Sequence, residues 1–230
     1  MNKTIKKDLL KATVLFTLLS LIPCTLCFAS IYGQSVDSND LDDNRSFSSY
    51  DYSPPSSEGG MSGNYPGFSI SWNVYQDTNT DLWTYEYTLT GDKEISHFIL
   101  EITKPFSSTI SGDPYEGPQI WSPSDPGNSN PGLPADIYGI KFDFGGSPVT
   151  YTIETPLDPV WGNFYAKDGK DSGADVFAYN NALAASGFDS DNKLDFIVRP
   201  NGVAPEPAAS ALFLIGGSAM VFVRKRRNKK

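Results

Sequence analysis

Apolar and polar residues alternate strictly along two stretches of this chain. Phe68, Ile70, Trp72 and Val74 are separated by Ser69, Ser71 and Asn73, and Trp83, Tyr85, Tyr87 and Leu89 by Thr84, Glu86 and Thr88. A period of two puts each apolar set on one face of a strand and the polar set on the other. Asp77-Thr78-Asn79-Thr80-Asp81 between them predicts a hairpin loop. Gly91-Asp92-Lys93-Glu94 predicts the next turn, and Phe98, Leu100 and Ile102 a third strand of one antiparallel meander. Alternation resumes at Ile140, Phe142 and Phe144, against Lys141 and Asp143. After Gly145-Gly146 it continues through Val149, Tyr151 and Ile153, which predicts a second hairpin. Trp161 to Ala166 and Leu194 to Val198 read as further strands, while Ala174–Ala185 admits a short helix. Residues 104–135 carry seven prolines and four glycines, which interrupt any ladder and make the segment loop-dominated. Seven or more short strands punctuated by turns imply an all-β fold, an antiparallel β-sandwich or jelly-roll-like ectodomain over residues 65–203.

The two ends follow other patterns. Lys3, Lys6, Lys7 and Lys11 make a basic start, Ala12 to Ile22 carry no charge, and Thr25-Leu26-Cys27-Phe28-Ala29 leads to Ser30. That order describes a secretory signal peptide over residues 1–29 with a cut after Ala29. The uncharged run is too short for a spanning helix, which needs about 20 residues. Residues 30–64 are rich in Ser, Asp, Asn, Gly and Pro without a helix or strand period, and read as a disordered linker. Residues 204–230 end the chain in three parts: the hinge Pro205-Glu206-Pro207, the apolar run 208–223, and the basic stop 224–230 that opens with Arg224-Lys225-Arg226-Arg227. As a helix the run would be about 24 Å long against a hydrocarbon core of about 30 Å. It can cross with snorkelling Arg and Lys or local thinning, which suits a transient span better than a permanent anchor.

Charge and cysteine content narrow the chemistry. The chain's two cysteines, Cys24 and Cys27, lie in the leader. A domain cut after Ala29 has no thiol for catalysis, zinc or iron–sulfur chemistry, and no disulfide to stabilise it. One histidine, His97, excludes a histidine metal cluster. Between residues 30 and 204 stand eight basic and 25 acidic side chains, a net charge of −17. Such a surface repels nucleic acid and anionic lipid. Basic flanks stay cytoplasmic, so both ends face inward and the acidic middle is exported.

The tail Val203-Ala204-Pro205-Glu206-Pro207, the apolar run and Arg224–Arg227 resemble the PEP-CTERM sorting signal of Gram-negative bacteria. The resemblance covers about residues 203–230. It implies processing by exosortase, a membrane transpeptidase-like enzyme, and residence in the envelope, on the surface or in the extracellular matrix of cells that make exopolysaccharide. The body is similar, more weakly, to β-rich ectodomains that carry this signal, through Trp83–Leu89, Ile95–Glu101 and Trp161–Gly169. The partners so implied are signal peptidase and Sec-type export machinery, exosortase, the inner membrane in passing, and extracellular polysaccharide. No catalytic activity and no cofactor is implied.

Candidate sites in the ectodomain are sparse. Asp189, Asp191 and Asp195 bring hard oxygen ligands together, a set that suits calcium, but they lack the spacing of a full calcium loop. Asp168, Asp171 and Asp175 form a similar cluster. Solvated acidic turns are the simpler reading of both. Glu86 and Glu101 fall on the polar phase of their strands and His97 opposite Phe98, so all three are expected at the surface. Trp72 and Trp83 fall on the apolar phase, as core residues. Trp121, in the long loop, is the candidate platform for a sugar ring. The leading expectation is a noncatalytic exported envelope or matrix protein. The alternative is a secreted carbohydrate-binding or glycoside-hydrolysing β-sandwich using the same route.

Overall fold

A computed structural model describes residues 32–46, 56–104, 106, 108–124, 130–171, 173–184 and 192–201. The leader, the hinge Pro205-Glu206-Pro207, the apolar run and the basic stop lie outside the described residues. No helix among the described residues is long and apolar enough to cross a membrane.

The described chain is all-β and every strand pairing is antiparallel. Strands β1 (Asp42–Ser46), β2 (Ser56–Glu58), β3 (Met61–Gly63), β4 (Ser69–Gln76), β5 (Trp83–Thr90) and β6 (His97–Glu101) fill the first half. Strands β7 (Ser111–Gly112), β8 (Glu116–Trp121), β9 (Ile137–Phe142) and β10 (Val149–Thr155) follow. The last are β11 (Pro159–Gly162), β12 (Phe164–Asp171), β13 (Ala174–Asn180) and β14 (Ile197–Pro200). They form a five-stranded sheet in the order β1-β4-β5-β10-β7 and a seven-stranded sheet in the order β2-β3-β13-β12-β6-β9-β8. A two-stranded ribbon, β11-β14, completes the set.

Period-two alternation explains the core. Ile70, Trp72, Tyr85, Tyr87, Tyr151 and Ile153 point inward from the five-stranded sheet. Phe98, Leu100, Ile140, Phe142, Phe164 and Val176 point inward from the seven-stranded sheet, and all twelve belong to one buried cluster. Trp161, Ile197 and Val198 of the ribbon join it. The rings interlock across the two sheets: Phe98 lies 5.6 Å from Tyr87, 5.3 Å from Tyr151, 5.9 Å from Phe142 and 6.1 Å from Phe164 between centroids. Such offset and tilted pairs add to the area they bury. Tyrosines of this cluster find acceptors inside it: the Tyr85 hydroxyl donates to Leu157 O at 2.7 Å and Tyr87 to Val198 O at 2.9 Å.

Several sequence expectations change here. The β4–β5 hairpin forms as predicted, but β6 does not continue it. It crosses to the other sheet and pairs with β12 and β9. Likewise β9 and β10 are not a hairpin, because they lie in different sheets. Alternation reveals an apolar face and is silent about which sheet that face meets. The stretch from Trp161 to Ala166 splits at Asn163 between the ribbon and the seven-stranded sheet. Ala174–Ala185 is a strand followed by a 3-10 turn at Asn181–Ala184, and a 3-10 turn at Lys193–Asp195 precedes β14. The presumed linker contributes β1, β2 and β3 to the two sheets. Its β1 lacks aliphatic residues, so composition hides it. Its backbone ladder with β4 holds it instead, and the Arg45 guanidinium, 4.9 Å above the Trp72 ring, covers the core. The proline-rich segment 104–135 includes β7 and β8, the latter broken by a register shift between Glu116 and Gln119.

Because Phe98 joins both sheets, Phe98→Ala is expected to cost about 3–5 kcal/mol, read as a drop in urea midpoint with an unchanged slope.

Candidate functional site

The outer face of the seven-stranded sheet carries most of the side chains with chemistry. Along β9, Ile140 and Phe142 face the core, so Ile137 and Lys141 face outward. A second, smaller cluster covers the middle of this face: Ile99, Trp121, Leu133, Ile137, Tyr165 and Tyr179 are all buried in it. The segment at Asn130–Leu133 lies over the sheet, where the Tyr165 hydroxyl donates to Pro131 O at 2.7 Å.

Lys141 lies beside that cluster and its side chain is 2% exposed. Its Nζ is 2.9 Å from Asp143 Oδ2, 3.3 Å from Glu116 Oε2 and 4.6 Å from the centre of the Trp121 ring. One buried ammonium thus gathers two carboxylates and an aromatic face, the pairing that burial of a charge demands. Next to it a cleft of about 250 Å³ opens between Pro114, Tyr115, Glu116, Lys141, Asp143 and Phe144. Two contacts fix its walls. Asp113 exchanges backbone and side-chain bonds with Thr152 at 2.8 and 2.7 Å, which holds the turn before Pro114 and Tyr115. The Tyr151 hydroxyl donates to Phe144 O at 2.8 Å.

Trp121 is not an exposed platform. It ends β8, is 1% exposed, and its Nε1 donates to Gly139 O at 3.0 Å beneath Lys141. Of the aspartates weighed for calcium, Asp189 and Asp191 lie outside the described residues. Asp195 is buried, and its carboxylate accepts from Asn181 Nδ2 at 3.1 Å. Asp171 pairs with Lys93 at 3.1 Å and Asp175 with Lys170 at 4.0 Å. Among the described residues no three His, Cys, Asp or Glu side chains come together to hold a metal.

Glu101 and Arg199 also depart from expectation. Glu101 is buried although it holds the polar phase of β6, because the outer face there is covered too. Its Oε2 accepts from Asn163 N at 2.8 Å and lies 3.6 Å from Arg199 Nε, while its Oε1 accepts from the Tyr32 hydroxyl. Arg199 is 1% exposed; its Nη1 donates to Thr103 Oγ1 at 2.7 Å and Pro200 O at 3.0 Å, and its guanidinium lies 5.6 Å from the centre of the Tyr32 ring. Gly162 makes room for it, since a Cβ there would collide with the Arg199 side chain. Burial and then the Glu101 charge push the Tyr32 hydroxyl up to about 12. Glu101 and Arg199 are enclosed and lie against each other and Tyr32, which makes the group a structural tie between the ribbon, β6 and the segment entering at Tyr32. Serial polar phase alone signalled neither Lys141 nor Arg199.

His97, expected at the surface, is 7% exposed beside Tyr165. Its Nε2 and the neighbouring Asn130 Oδ1 lack a hydrogen bond of good geometry. Burial, then the Lys167 and Lys141 charges, hold the imidazole down at about 4. It is neutral at pH 7 and enclosed, so it structures the face rather than exchanging protons with solvent.

Compared with protein-family models, with curated proteins and with solved structures, the chain matches none of them.

Two outcomes are expected from these environments. A histidine held below its unfolded value lets the unfolded chain take the proton first, so stability falls as pH drops from 6.5 towards 4. The His97 contribution amounts to about 2 kcal/mol less stability at pH 5 than at pH 7. Denaturant unfolding at both pH values should show a gap that His97→Gln removes; an equal gap in that variant contradicts the assignment. Glu101→Ala strands the Arg199 guanidinium and should cost about 3–5 kcal/mol, whereas Glu86→Ala on the open face should stay within about 0.5 kcal/mol.

Proposed function

We propose that this chain is a noncatalytic exported protein of the envelope or extracellular matrix, and that its two main sheets form a β-sandwich of jelly-roll type. It enters the export route by its leader and is sorted by the Pro205-Glu206-Pro207 signal, which exosortase cleaves.

One observation carries the reading. The first described backbone pairing is that of Gly33 N with Trp161 O, and the last strand ends at Pro200. A cut after Ala29 and processing at the hinge therefore remove no residue of a described strand. Charge adds support. Of the eight cationic residues between 30 and 204, Arg45, Lys141 and Arg199 are buried, as are the acidic Glu101 and Asp195, so burial leaves the exported surface about as acidic as composition states. That favours solubility in the matrix and disfavours nucleic acid and anionic lipid as partners. The noncatalytic part rests on how the polar groups are used: Glu101 is tied to Arg199, His97 is enclosed, and Glu116 and Asp143 converge on one ammonium.

Intact mass of the protein recovered from outside the producing cell should fit a chain that begins at Ser30 and lacks the basic stop. A mass that retains the sequence through Lys230 refutes processing of the tail. A mass that retains Met1 refutes the signal peptide.

A further inference from the structure

The cleft beside Lys141 has a composition that the structural role of its floor does not require. Lys141 and Trp121 are enclosed, and their contacts hold the edge of the sheet together. The walls are different. Phe144 is 36% exposed, although its ring is packed edge-on against Phe142 at 6.4 Å and tilted against Tyr151 at 4.9 Å. Tyr115 also lines the cleft, half-buried, with its ring 6.4 Å from Phe142. Both rings are therefore fixed from behind while apolar surface is left facing the cleft. Glu116 and Asp143 side chains are 56% and 43% exposed, and each gives one oxygen to Lys141. Both carboxylates thus stay in reach of solvent at the rim of the cleft while they pair with the ammonium.

From this the geometry points to a binding site for one neutral sugar ring. A pyranose has an apolar C–H face and a rim of hydroxyl donors. The face suits the Phe144 and Tyr115 rings, and the hydroxyls suit two carboxylate oxygens, which form strong charge-assisted bonds. Charge selects against the alternatives. Two carboxylates against one ammonium leave the cleft net negative, which repels uronates and phosphates. Charge thus excludes anionic sugars, while a neutral ring needs only the rings and the carboxylate acceptors. At about 250 Å³ the cleft lies below the usual range for drug-sized ligands, about 300–1,000 Å³, so it holds a single ring rather than a chain lying along a groove. A ring of this size at an open site binds at about millimolar strength. The site is distinct from Trp121, and it stands or falls independently of how the chain is exported.

Saturation-transfer NMR of the full-length chain with methyl glucoside, methyl galactoside and glucuronate tests the site. At least one neutral glycoside should receive saturation, and the anionic glucuronate markedly less. Phe144→Ala, with its melting temperature measured alongside, should reduce the transfer at least several-fold. Asp143→Asn, a change at an exposed carboxylate, should weaken it also and serves where Phe144→Ala does not fold. Absence of transfer to both neutral glycosides, preference for glucuronate, or wild-type transfer in a folded Phe144→Ala or Asp143→Asn protein overturns the proposal.

Discussion

Phe98 is where the two large sheets become one body. Its ring touches Tyr87 and Tyr151 from the five-stranded sheet and Phe142 and Phe164 from its own. Without disulfides in the folded part, that aromatic contact and the aliphatic side chains around it must supply the stability that small exported domains often take from cross-links. The choice of aromatics has a physical logic. Large rings bury the most surface per residue, and the tyrosines among them can sit inside because each hydroxyl reaches a main-chain carbonyl of a neighbouring element. The bonds from Tyr85 to Leu157 and from Tyr87 to Val198 join β5 to the turn before the ribbon and to the ribbon itself, so the core's polar tips also connect its parts.

The second feature is how the fold treats charge. An acidic protein with few cations encloses Arg45, Lys141 and Arg199 rather than displaying them. Each charge is countered, although the Nε of Arg45 and of Arg199 makes no hydrogen bond: Asp43 and the Trp72 face for Arg45, two carboxylates and the Trp121 face for Lys141, Glu101 and Thr103 for Arg199. Such arrangements contribute less to net stability than their contacts suggest, because desolvation offsets the attraction. Their effect is on register: a strand slipped by one residue would send Lys141 into the aromatic core and Phe142 out of it. The same arrangement keeps the outer surface strongly negative and sets two acceptor carboxylates at the rim of the Lys141 cleft.

Legibility varied by element for physical reasons. The hairpin of β4 and β5 was readable because both strands alternate cleanly and the turn between them is short and polar. Strand β1 was hidden because its residues are nearly all polar and its place depends on the free edge of β4. Strand β8 was hidden by Gly117 and Pro118, which break the ladder without abolishing it. Trp121 was read as a loop residue, and it became a buried strand end once β8 had formed. The hinge, the apolar run and the basic stop lie outside the described residues, so the sorting reading rests on their order in the chain.

By itself the sequence determined which residues share a face, that the domain is built of short antiparallel strands, and that its folded part is acidic and free of cysteine. These follow from local rules, the two-residue period of a strand and simple composition. Only the tertiary structure decided that β6 and β9 leave their neighbours for the opposite sheet. It also decided that the outer face of the seven-stranded sheet is itself covered, so that the polar phase of β6 and β9 is an interior. Glu101, His97 and Lys141 are buried for that reason. Alternation assigns a side chain to one of two faces, but whether a face meets water depends on distant segments such as Asn130–Leu133, and no local pattern carries that information.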